Sequence, residues 1–150
     1  MRTSESVEVA AEPSVVHPVV ADLGTYPDWL PLVHDAVSEP AGEADTPAWT
    51  VELRAQVGPF ARSKQLRMVR VEQIADELAV FERREIDGRD HARWTLRVEL
   101  APAGDGTLVT MHLAYEGALW TGGVLERVLD EQIRAGRAGL QRLLSGEPTH

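Results

Sequence analysis

Residues 91–117, HARWTLRVELAPAGDGTLVTMHLAYEG, decide the fold. Trp94, Leu96 and Val98 alternate with polar residues, then APAGDG breaks the pattern, and Val109, Met111, Leu113 and Tyr115 resume it. A period of two marks a strand with one face buried, and two such strands around a Gly-Asp turn make an antiparallel hairpin. Both apolar sets are therefore expected on the inner face. Upstream, AWTVELRAQV places Trp49, Val51, Leu53, Ala55 and Val57 against Thr50, Glu52, Arg54 and Gln56, and GPFA supplies a turn. In SKQLRMVRV, Leu66 and Met68 take one face and Val69 and Val71 the other, so its facing stays open. ELAVFERREI and the turn IDGRD complete a meander of five strands, with hairpins marked by the Asp-Gly pairs at Asp87 and Asp105.

Outside the meander, SVEVA at Ser6–Ala10 alternates as a first strand, and Pro13 opens a short helix carrying Val15, Val16, Val19, Val20 and Leu23. Pro18 removes a donor there, which predicts a kink or a late start. A second short helix is expected over Tyr26–Val33, followed by a loop over Pro40–Pro47. After Trp120, Leu125, Leu129, Ile133, Leu140 and Leu144 form one stripe of a long amphipathic helix ending at Ser145-Gly146. No internal repeat or domain-scale linker interrupts the 150 residues, so one domain over 1–150 is expected.

Composition narrows the function classes. No apolar run approaches the roughly 18 residues of a membrane span, so no membrane insertion is expected. The start, MRTSESVEVAAEP, lacks a secretory layout, and a cytoplasmic location is expected. A net charge of −9 disfavours nucleic acid as a partner. Cysteine is absent, which removes thiolate chemistry and thiolate-bound zinc. His17, His34, His91, His112 and His150 show no metal-ligand spacing, and no GxSxG, GxxxxGK[ST] or GxGxxG occurs. Neither a metal nor a cofactor is expected. His112 and His91 read as surface residues, and His34 as a candidate acid or base near a cavity mouth.

The order of strand, two short helices, run of hairpins and long terminal helix resembles the START-like, or birch-pollen-allergen, superfamily. VEVAAEPSVV, LGTYPDWLP, VGPFAR, WTLRVEL with GTLVTMHLAYEG, and LERVLDEQIRAGRAGLQRLL together look like its polyketide cyclase/dehydrase and lipid-transport branch. The resemblance spans nearly the whole chain. It implies an α+β helix-grip fold, in which a curved antiparallel sheet of about seven strands wraps around the C-terminal helix. It also implies an internal cavity for an apolar small molecule.

Phasing across the Asp87-Gly88 hairpin pairs odd positions with even ones, which turns Phe81, Arg83 and Glu85 to the same face as Trp94. Arg70 joins Leu66 and Met68 by the same count. Candidate lining residues are then Trp49, Val51, Leu53, Met68, Arg70, Phe81, Trp94, Leu96, Met111 and Leu113 from the sheet, and Leu129, Ile133 and Gly136 from the helix. Trp29, Leu30 and Val33, with Trp49 and Trp120, make a candidate mouth. Any of these residues serves equally as plain core. Arg83 and Glu85 read either as a structural ion pair or as a polar end orienting a ligand carbonyl, enolate or carboxylate. Gly136 and Gly139 cost about 1 kcal/mol each relative to alanine inside a helix, so they either leave volume under the sheet or admit a close backbone.

Three functions compete. The first is a carrier of a lipid, polyketide or related metabolite, acting as monomer or homodimer. The second is a polyketide cyclase, with Arg83 stabilising an enolate and Glu85 or Tyr115 moving a proton. VGPFARSKQLRMV stands, however, where aromatases of this superfamily carry a loop-rich segment with charged residues and tryptophan. The third is a protein-interaction module, for which the outward Arg, Glu and Thr pattern offers no large apolar patch.

Overall fold

The computed structural model describes residues 2–40, 46–57, 59–116 and 124–144. The chain forms β1 (Arg2–Val9), α1 (Pro13–Val20), a 3-10 helix (Leu23–Asp28), β2 (Val33–Ser38), β3 (Ala48–Val57), β4 (Phe60–Ile74), β5 (Leu78–Arg83), β6 (Arg93–Ala103), β7 (Gly106–Glu116) and α2 (Val124–Leu144). The strands make one antiparallel sheet in the order β1-β7-β6-β5-β4-β3-β2, so only β1, paired out of sequence with β7, breaks the meander. The sheet curls into a half-barrel that holds α2, the expected helix-grip α+β architecture. Extra residues at His34 in β2 and Val71 in β4 shift the register, and such bulges bend a strand and raise its twist.

Several local expectations need correction. The second short helix is a 3-10 helix at Leu23–Asp28, and Val33 opens a strand. Pro27 and Pro31 deny the segment the donors of a longer α-helix. VHDAVS hides its strand character because this edge strand exposes even Val37. α1 starts at Pro13 itself, with Pro18 accommodated inside it. The link from β5 to β6 runs from Arg84 to Ala92, far longer than a tight Asp-Gly hairpin, yet Phe81 still pairs with Leu96, because the parity of the count is unaffected. Between β6 and β7 the two turn residues are Gly104 and Asp105, and the positive φ of 58° falls on Gly104. Gly106 already belongs to β7, where a Cβ would lie 2.1 Å from the Val9 carbonyl oxygen.

The alternation read from residues 91–117 gives the core its inner face: Trp94, Leu96, Val98, Val109, Met111, Leu113 and Tyr115 are all buried. On β4, Leu66 and Met68 face inward and Val71 is exposed, which resolves the ambiguous facing; Val69 is nonetheless buried. α2 is tied to the edge strand by Thr3, whose hydroxyl donates to Asp130 at 2.6 Å, and by Glu5, 3.5 Å from both Arg134 and Arg137. Ile133, Leu140 and Leu144 are buried, as the stripe predicts. The side chains of Leu125 and Leu129, and Trp120 altogether, lie outside the described residues.

Tyr26 anchors the short helices from inside. Its hydroxyl donates to the Val20 carbonyl at 2.7 Å, and its ring lies 4.4 Å from that of Trp29. Tyr26→Phe should lower stability by about 1–2 kcal/mol in urea denaturation, because a buried carbonyl loses its partner. Burial pushes the Tyr26 phenol far above its usual range, with Asp22 adding to the shift. A phenol raised only in the folded state binds more protons than the unfolded chain once pH exceeds about 10, so its contribution to stability is lost as pH rises beyond that point.

Candidate ligand cavity and its charged rim

Inward side chains of β3, β4, β6 and β7 meet the segment Leu23–Val33 and Ile133 of α2 around a hollow of about 40 Å³. Val51, Leu53, Met68, Trp94, Leu96 and Leu113 line it from the sheet, as expected from their parity, together with Leu30, Val33 and Ile133. Leu23, Tyr26, Leu32 and Leu66 complete the lining. Leu66 carries the parity signal of its strand and Leu23 the apolar spacing that follows Pro13, whereas Leu32 reaches the hollow through a turn that has no period to read. The hollow has room for about three waters, against roughly 300–1,000 Å³ for a drug-sized ligand. Most of the inner face therefore packs as core, and a larger occupant must part these side chains.

The other described candidates do not line the hollow. Phe81 and Trp49 pack edge-to-face at 5.7 Å, and Met111 is fully enclosed. Arg70 spends its guanidinium on the Ala21 carbonyl at 2.8 Å, tying β4 to the end of α1. Trp29 is no part of a mouth; it is buried against α2. A Cβ on Gly139 would lie 2.1 Å from the Trp29 carbonyl oxygen, and one on Gly136 would lie 2.5 Å from Leu30 Cδ1. The two glycines thus admit a close backbone and a leucine side chain. They leave no volume, and Gly136 is not a lining residue. His34 is exposed on the β2 bulge. His112 lies outward, with Nδ1 2.7 Å from the Ser4 hydroxyl and Nε2 2.7 Å from Glu99.

At one end the apolar lining gives way to charge. Directly opposed residues of an antiparallel pair share a face. Lys64 opposes Leu53, Arg83 opposes Met68 and Tyr115 opposes Trp94, so each polar residue is the cross-strand neighbour of a lining residue. This is the end of the sheet where β3 and β5 finish and β4 and β6 begin. The Arg83 side chain is only 6% exposed. Its Nη1 donates to the Ala92 carbonyl and its Nη2 to His91 Nδ1, both at 3.3 Å. A guanidinium only donates, so His91 accepts at Nδ1 and carries its proton on Nε2, which donates to Asp87 at 2.9 Å. The backbone N–H of Arg89, then His91, hold the Asp87 carboxyl below its usual range.

Glu85 does not neutralise Arg83 closely. Its Oε1 accepts the Arg67 backbone N–H at 2.7 Å and stands 3.8 Å from Arg83 Nε, which has no hydrogen-bond partner among the described residues. Burial pushes the Lys64 ammonium below its usual range; Arg83 adds to the drop and Glu85 opposes it. Lys64 is absent from the candidates read from the sequence, although it shares the parity of Leu66 and Met68. No group of three His, Asp or Glu side chains able to hold a metal occurs among the described residues, and no described helix is long and apolar enough to cross a membrane.

A bent antiparallel sheet closed on a long C-terminal helix, over an apolar hollow with a polar rim, defines a START-like helix-grip protein. The family model for polyketide cyclase/dehydrase and lipid transport matches residues 1–145, and the chain belongs to that family. No curated protein matches the sequence. Among solved structures, a START superfamily protein from Mycobacterium smegmatis is 19% identical with a TM-score of 0.75, covering 95% of this chain and 96% of its own. A protein from Thermus thermophilus is 18% identical with a TM-score of 0.76, over 96% and 97% of the two chains. The di-domain ARO/CYC BexL is 15% identical with a TM-score of 0.71, and 99% of this chain covers 51% of it.

Proposed function

We propose that this protein binds and carries an apolar small molecule in the hollow between the sheet and α2, admitted past Lys64, Arg83, Glu85 and Tyr115. The observation that carries this reading is the lining: the thirteen described side chains around the space that the core leaves unfilled include no charged group. Apolar walls supply the driving force for an apolar occupant, and the polar groups at one end orient it. Because the hollow is about 40 Å³, binding has to widen it. Met68 and Leu30 line it with unbranched or terminally branched side chains that change rotamer without moving backbone.

Displacement of an environment-sensitive apolar dye, with native mass spectrometry of the purified protein, tests the reading. Wild-type protein should take up the dye, and Leu113→Phe, which fills the hollow, should abolish uptake while leaving stability within about 1 kcal/mol of wild type. Absence of uptake by the wild type, or equal uptake by the filled variant, would overturn it.

A further inference from the structure

Resting on this cavity reading, we infer that the ligand is an amphiphile with an anionic end, a carboxylate or comparable oxyanion, received by Arg83 and Lys64 at the rim. Among the described residues, the cationic Lys64 and Arg83 stand directly across from lining residues there, and the anionic Glu85 stands beside Arg83. The balance is positive in a chain whose net charge is −9. Attraction of an anion at this end therefore comes from these local charges and not from the net charge of the chain.

The hydrogen-bond inventory makes the same point atom by atom. The Nη1 and Nη2 groups of Arg83 are held by the Ala92 carbonyl and His91, and this fixes the plane of the guanidinium. The Nε–H is left without a hydrogen bond among the described residues, and Glu85, whose Oε1 accepts the Arg67 backbone N–H, stands beyond hydrogen-bond distance at 3.8 Å. A buried donor without a partner costs free energy that an incoming acceptor recovers, and a charged acceptor recovers most. The second cation sharpens the choice. The Lys64 ammonium is disfavoured by its surroundings and by Arg83, so an oxyanion between them relieves that repulsion, whereas a cationic end would add to it. A neutral alcohol or ester satisfies the donor but leaves the repulsion in place. The cross-strand placement beside Leu53 and Met68 sets the polarity of the ligand: oxyanion at the rim, hydrocarbon inward.

Octanoate, octan-1-ol and methyl octanoate, each competed against the apolar dye, test this in wild type, Lys64→Met and Arg83→Leu. Octanoate should bind wild type at least about tenfold more tightly than the alcohol or ester. That ratio should fall toward one in Lys64→Met, a change at a partly exposed side chain, and in Arg83→Leu if that variant folds. Equal binding of the acid and the two neutral compounds by wild type, or an unchanged ratio in Lys64→Met, would overturn the anionic end while leaving the cavity reading standing. If the dye binds but none of the three displaces it, the anionic amphiphile is likewise ruled out; if the dye itself does not bind, both readings fall.

Discussion

Phe81→Ala should destabilise the protein by about 3–5 kcal/mol. Phe81 is 0% exposed, at the centre of the inner face of β5, with Trp49 at 5.7 Å and Tyr26 at 6.2 Å, both nearly perpendicular to it. Those rings come from β3 and the 3-10 helix, so Phe81 joins three parts of the chain that share no local sequence. Truncation removes the buried ring area and leaves a void whose walls are fixed by strand pairing on both sides, with Arg70 opposite on β4 and Leu96 on β6. Urea denaturation monitored by circular dichroism measures the loss. A change below about 1 kcal/mol would mean that the site collapses freely and that the inner face is looser than its packing implies.

Gly139→Ala should be destabilising by about 1–3 kcal/mol, although alanine is favoured over glycine in a helix by about 1 kcal/mol. The added methyl would stand 2.1 Å from the Trp29 carbonyl oxygen, 2.9 Å from its carbonyl carbon and 3.0 Å from its Cα. All three are backbone atoms of a segment anchored by Tyr26, so the clash is relieved only by lifting α2 from the short helices. Gly136→Ala makes the matched comparison. Its methyl would meet Leu30 Cδ1 at 2.5 Å, the far end of a flexible side chain, and a rotamer change removes the conflict. That variant should be near neutral or slightly stabilising by the same denaturation measurement. Equal effects at the two positions would show that the close approach at Trp29 is not what Gly139 serves.

The two glycines also illustrate how far the sequence could be read. Their presence inside a helix signals a compensating contact, and the sequence offers two forms of compensation without choosing. The choice depends on which atoms of Trp29 and Leu30 arrive opposite them, from the other end of the chain. Lys64 shows the converse. Its place on the inner face follows from the alternation of Leu66 and Met68, but its significance arises only when Arg83 and Glu85 are brought to the same end by the β4–β5 pairing. Val33–Ser38 escaped detection because an edge strand with a bulge and an exposed Val37 has little alternation to display.

What the amino-acid sequence determined by itself is the alternating inner face of β3, β6 and β7, the parity that turns Phe81 and Arg83 inward, and the stripe of α2. Side-chain direction in strands and helices is periodic and local, so these follow from counting. Only the tertiary structure decided that the hollow closes to about 40 Å³, that Phe81 and Trp49 are core, that Trp29 seats α2, and that Arg83 keeps an Nε–H without a hydrogen bond among the described residues, on the same rim as Lys64. Those outcomes depend on volumes and distances between segments remote in sequence, where a displacement of about one ångström separates a filled core from a binding site.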